Sequence, residues 1–124
     1  MTEKKSILVY CVDISLLAAT TYALRVRNYD ATPVRSHKEV AAIAGSNEYP
    51  IACVVLLHTM PNDPAGRLIR LLLENSVQVP VLLVDRVGDL APVRYANMVL
   101  YGSNTAMAHI FDALSVLCQK RSAA

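Results

Sequence analysis

Few side chains in this sequence are suited to bond-making chemistry, and most of them stand where an apolar run ends. Cys11 and Asp13 follow "SILVY", His58 follows "IACVVLL", and Asp85 follows "VPVLLV". Asp13 and Asp85 carry hard oxygen atoms of the kind that Mg2+ or Ca2+ takes, but two carboxylates without a third oxygen ligand make a weak site. Cys11 would sense oxidants only if its thiolate were stabilised. The nearby carboxylates of Asp13 and Asp85 act the other way, so Cys11 reads as an inert small hydrophobe. His37 and His109 read as helix-surface residues and His58 as a partly buried, hydrogen-bonded one. The three are too dispersed for a metal set. No Ser-His-Asp or Cys-His arrangement is in view, and neither GxGxxG nor GxxxxGK[ST] occurs. A flavodoxin-like small-ligand binder would need a Gly/Ser/Thr-rich first loop to cradle a phosphate, and "CVDISLL" has no glycine. The residues therefore point away from an enzyme and call for no cofactor.

The elements that would position these tips follow from hydrophobic patterning. "SILVYCV" (6–12) is a short apolar run rich in β-branched and aromatic residues, which predicts a buried strand. "ISLLAATTYALRVRNY" (14–29) predicts a helix with Leu16, Ala19, Ala23 and Val26 at helical spacing. A short second strand is expected in "DATPVRS" (30–36). Ser36 lies three residues before Glu39, the spacing of a capping box, so a helix is expected over "HKEVAAIAG" (37–45). "IACVVLL" (51–57) is apolar without interruption and predicts a central strand.

Beyond Met60-Pro61, Asn62 or Asp63 can cap a helix with Pro64 in its first turn and Leu68, Ile69, Leu72 and Leu73 on its core side. "VPVLLV" (79–84) predicts the fourth strand and "NMVLY" (97–101) the fifth. Between them Gly88 and Pro92 leave room for only a truncated fourth helix. A last helix, capped by Ser103 or Asn104, sets Met107, Ile110, Phe111, Leu114 and Leu117 along one side. Five strands alternating with helices mean an α/β fold, a doubly wound parallel sheet covered on both faces. Sites in such sheets lie beyond the carboxyl ends of the strands.

Composition narrows the class. With 124 residues the chain is expected to form one domain, 1–124, and 54% hydrophobic against 18% charged residues fits strands buried on both faces. That balance excludes a disordered chain. The net charge is +2 and the 12 basic residues are scattered, which argues against direct nucleic-acid binding. Three cysteines without CxxC spacing fit a reducing compartment, and no apolar run is long enough for a membrane span, so a cytoplasmic protein is expected.

The chain resembles the receiver domain of two-component response regulators over nearly its whole length. "ILVYCVD" sits where receivers carry a strand ending in acids. "ALRVRNYDATPVRSHKEVAAI" is similar to their "L…GY.V..A…EAL" run, "PIACVVLLHTMPNDPAG" to "PDLVLLDLxMPxxDG", and "VPVLLV" to "xPVIxLT". The Met-Pro loop after a buried strand is the most specific part. The resemblance implies the flavodoxin-like strand order 2-1-3-4-5. It also implies a phosphorylatable aspartate ending strand three, two Mg2+-binding acids ending strand one, a Thr or Ser ending strand four and a Lys ending strand five.

Carried over position by position, none of these groups is present. The acceptor falls on Leu57, the acid pair on Cys11 and Val12 with Asp13 one place late, the hydroxyl on Asp85, and the lysine on Tyr101. Leu57 has no nucleophilic atom, and Asp85 would repel an incoming phosphate. This pattern is that of a pseudo-receiver, a receiver fold kept for its surfaces. The family's dimer face, formed by the fourth helix, fifth strand and last helix, would carry Leu90, Val93, Tyr95, Val99 and Tyr101. His109, Asp112, Val116 and Gln119 would lie on the outer side of the last helix. A protein partner or a second copy is expected there. The same surface would also suit the input half of a longer transcription regulator, with "CQKRSAA" opening a linker.

Overall fold

Short β-branched runs form strands here because their side chains are buried on both faces of a parallel sheet. The computed structural model describes residues 5–44, 51–59, 79–86, 98–101 and 106–122. In chain order these form β1 (Ser6–Tyr10), α1 (Ile14–Val26), β2 (Asp30–Val34), α2 (His37–Ala44), β3 (Cys53–His58), β4 (Val81–Asp85), β5 (Met98–Tyr101) and α3 (Met107–Ser122). The sheet order is β2-β1-β3-β4-β5, and every neighbouring pair is parallel. This is the flavodoxin-like order that the resemblance to receiver domains implies.

The core has two layers, one on each face of the sheet. Ile7, Val9, Cys11, Cys53, Val55, Leu57, Leu82 and Val84 point to one side. There they meet Leu17 and Leu24 of α1 and Ile110, Ala113, Leu114 and Leu117 of α3. Leu8, Tyr10, Val54, Leu56 and Leu83 point to the other side with Val40 of α2. All six residues of β3 are buried, as its uninterrupted apolar run predicts. β2 is an edge strand, paired only to β1, and that position tolerates Pro33, which has no N–H to give a second neighbour.

Element ends differ from the sequence-based expectation where caps decide them. β1 stops at Tyr10 rather than at residue 12, because Asp13 takes the N-cap of α1 and its carboxylate accepts from the Leu16 N–H at 3.1 Å. α1 ends at Val26 instead of continuing to Tyr29. Asn28 adopts φ 70°, the Asn28 N–H donates to the Arg25 carbonyl at 3.0 Å, and the Tyr29 N–H donates to that of Leu24 at 3.0 Å. This is a Schellman closure in which asparagine fills the left-handed position that glycine usually takes. Arg25 then donates from Nε and Nη2 to the Ala31 carbonyl, at 3.1 and 2.9 Å, and ties the helix end to β2.

The buried face of α1 is also not the expected one. Leu17, Thr20, Thr21 and Leu24 are buried, Leu16 is partly buried, and Ala19 and Val26 are exposed. Apolar residues surround this helix almost completely, so periodicity alone leaves its rotation open. The sheet selects the face, and the buried Thr21 hydroxyl is satisfied by donating to the Leu17 carbonyl at 2.7 Å. Ser36 caps α2 as expected, accepting from the Glu39 N–H at 3.4 Å. The expected α3 stripe also holds, with Ile110, Leu114 and Leu117 buried and Met107 and Phe111 packed at its margin. Arg27 lies 4.5 Å from the Phe111 ring centroid and links the end of α1 to α3.

The Met-Pro loop, the helix expected after it, and the truncated fourth helix all lie outside the described residues.

The capping role of Asp13 has a measurable consequence. Asp13→Ala should lower the urea midpoint by an amount equivalent to about 1 kcal/mol at unchanged m-value, while Asp13→Asn, itself a good cap, should cost only a few tenths, roughly.

Candidate functional site

Parallel register brings the strand tips into rows across the carboxyl edge of the sheet. Leu57 is level with Val84 and, through it, with Leu100; the next row is His58, Asp85 and Tyr101. Successive residues of a strand alternate in face, so the two rows belong to opposite sides of the sheet. Leu57 and Val84 share the α1/α3 side with Cys11. His58 and Asp85 lie on the other side, and the ladder continues past them where the Arg86 N–H donates to the His58 carbonyl at 3.0 Å.

Burial at this edge departs from expectation. His58 is fully buried rather than partly buried, and Asp85 is fully buried rather than a solvated strand end. Both sit in the interior of the sheet order, where a strand tip has a hydrogen-bonded strand on each side. Asp13 and Asp85, the candidate cation pair, differ sharply in setting. Asp13 is exposed and its carboxylate caps α1, whereas Asp85 is enclosed between β3 and β5. Among the described residues no group of three His, Cys, Asp or Glu side chains is placed to hold a metal ion.

Cys11 is enclosed in the core, and Val12 is half-buried against the opposite layer. Tyr101 closes β5 level with Asp85, and Val99 is level with Leu83. On α3, His109, Asp112 and Val116 are exposed, with Val116 44% exposed. Leu90, Val93 and Tyr95, the remaining residues of the expected interaction surface, lie outside the described residues.

An opening of about 220 Å3 lies over the Leu57 row, a feature that the sequence did not disclose. Leu57 and Val84 form its floor, Leu16, Ala19 and Thr20 of α1 one wall, and Ala106, Met107 and Ile110 the other. Arg86 stands at its rim. The strands present hydrocarbon to this space, and a hard divalent cation finds no carboxylate among the lining residues. The only recoverable signal was the apolar character of Leu57 and Val84 at two adjacent strand tips.

The sequence matches no protein-family model and no curated protein. Solved structures do match. A response-regulator receiver domain from Clostridium thermocellum superposes with a TM-score of 0.80 at 18% identity, covering 95% of this chain and 97% of that one. The receiver domain of the Francisella response regulator 1452 gives 0.79 at 14% identity, covering 95% and 99%. A structure named as adenylate cyclase from Rhodopirellula baltica gives 0.76 at 18% identity, covering 94% and 88%. The fold is thus that of response-regulator receiver domains. No helix among the described residues is long and apolar enough to cross a membrane.

The cysteines form no disulfide and all three are buried. Burial, reinforced by the neighbouring Cys118, pushes the Cys53 thiol up to about 12 from its ordinary value of 9.0. Burial also raises Cys118. Iodoacetamide at mild alkaline pH should therefore leave Cys53 unmodified in the native protein and alkylate it fully in urea. The linkage sign is fixed: an unfolded thiol loses its proton from about 9 upward while the folded one keeps it to about 12. Stability should fall with rising pH across that window, and less steeply in Cys53→Ala than in the wild type.

Proposed function

We propose that this chain is a signalling domain of receiver fold that works without phosphoryl transfer, through a protein contact available in its resting state. The observation that carries this reading is Leu57. It occupies the position that the receiver resemblance gives to the acceptor aspartate, and its side chain is buried under α1 and α3 beside Val84. Phosphoryl transfer needs an oxygen nucleophile and a cation to neutralise the transferred group. Neither Leu57 nor the Cys11-Val12 pair supplies one, and the exposed Asp13 carboxylate is occupied at a helix cap.

In an ordinary receiver, phosphate biases two conformations. A domain without that ligand has no such bias to apply, so whichever conformation binds a partner must already be populated. The surface we assign to the contact is the one formed by the fourth-helix region, β5 and α3, with Leu90, Val93, Tyr95, Val99, Tyr101, His109, Asp112 and Val116. The exposed Val116, one helical turn from the exposed Asp112, supports this choice, because an apolar centre with a polar rim suits a modest interface. The domain itself performs no catalysis in this role.

Two measurements test the reading. Acetyl phosphate, or beryllofluoride with Mg2+, should leave the intact mass and the amide NMR shifts of residues 11–13 and 57–59 unchanged; a stable adduct would overturn it. Partner binding or self-association through the assigned face should weaken by about tenfold or more in Tyr95→Glu and Val116→Glu. Indifference to both changes would move the contact elsewhere.

A further inference from the structure

The solvent side of α1 is unusually apolar for an exposed helix. Ile14, Tyr22 and Val26 are 61%, 71% and 66% exposed, and Ala18 and Ala19 are exposed beside them. Ile14, Ala18, Tyr22 and Val26 follow one another at intervals of four, so they form a single ridge about 18 Å long. Only Ser15 and Arg25 interrupt this side, and the Arg25 guanidinium is held by the Ala31 carbonyl. The helix contains no acidic residue. A face of this kind is covered in solution more often than it is left wet.

We propose that this ridge pairs with the α1 ridge of a second copy of the chain, the two helices running antiparallel about a two-fold axis. Three features of the helix select that occupant. Ridges four residues apart interlock at a crossing of about −50°, the commonest helix pairing. The centre of the ridge alternates a small and a large residue, so the two-fold sets Tyr22 of each copy into the space above Ala18 of the other.

The third feature is charge. Asp13 lies at one end of the helix and Arg25 at the other, both exposed. Antiparallel pairing brings each carboxylate to the arginine-bearing end of its partner; parallel pairing would set like charges together. A single helix covers less than the ~800 Å2 per partner of a standard interface, so the pairing is weak, with a dissociation constant in the range of roughly tens of micromolar. This surface is distinct from the one assigned above to β5 and α3.

The test is sedimentation velocity across roughly 5 to 500 micromolar, the range in which such a pairing dissociates. The wild type should pass from monomer to dimer. One variant carries Ala18→Glu with Tyr22→Glu, another Ala18→Lys with Tyr22→Lys, and both should stay monomeric with native circular dichroism. Mixed in equal amounts they should associate again, because each repels itself and attracts the other. Tyr22→Ser, a milder change at an exposed position, should weaken pairing about tenfold. A wild type that stays monomeric throughout overturns the proposal, as does a mixture that fails to associate. Association lost in Val116→Glu but kept in both α1 variants also overturns it, and leaves the α3 surface as the contact.

Discussion

β3 has a hydrogen-bonded strand on each side and a layer of buried side chains on each face, and the rest of the molecule is arranged around that enclosure. Every side chain from Cys53 to His58 is buried, so none of them can be chosen for solubility. The alternation of faces then assigns roles in pairs. Leu57 belongs to the α1/α3 layer and His58, one residue later, to the α2 layer, so one tip residue cannot substitute for its neighbour. A one-residue slip of β3 against β1 and β4 would exchange the two layers and place His58 against the α1 and α3 leucines.

The same enclosure explains the chemistry of the carboxyl edge. At a strand tip with open solvent above it, an aspartate remains hydrated and available to a cation. Asp85 is instead flanked by His58 and Tyr101 in register and has no exposed surface. Asp13 escaped burial by leaving the strand altogether and becoming the first turn's cap. The two carboxylates thus serve a buried sheet end and a helix terminus. Over the Leu57 row the edge offers a small hydrocarbon-floored opening in place of an oxygen-rich one.

Function under this reading shifts from the edge to the flanks. The flanks are formed by helices whose inner faces the sheet has already claimed: the threonine-leucine side of α1 and the Ile110, Leu114 and Leu117 side of α3. What remains outside on α1 is apolar, and what remains outside on α3 mixes Val116 with His109 and Asp112. Contacts built on such faces need no covalent trigger, only a population of the binding conformation and enough local concentration.

Much of the fold was legible in the residues themselves. The alternation of short apolar runs with helical segments determined the doubly wound class, the unbroken "IACVVLL" run determined that β3 is central, and Ser36 with Glu39 marked the start of α2. Those signals are local: they depend on which side chains are apolar and on one or two hydrogen bonds near each end. The rotation of α1 was not legible. Leucine, alanine, threonine and tyrosine nearly encircle it, and only the relief of β1 and β2 could decide that Thr20 and Thr21 go in while Val26 stays out. Nor was the depth of His58 and Asp85. A strand end reads the same in sequence whether it lies at the margin of a sheet or inside it, and burial there is set by neighbours brought from distant parts of the chain.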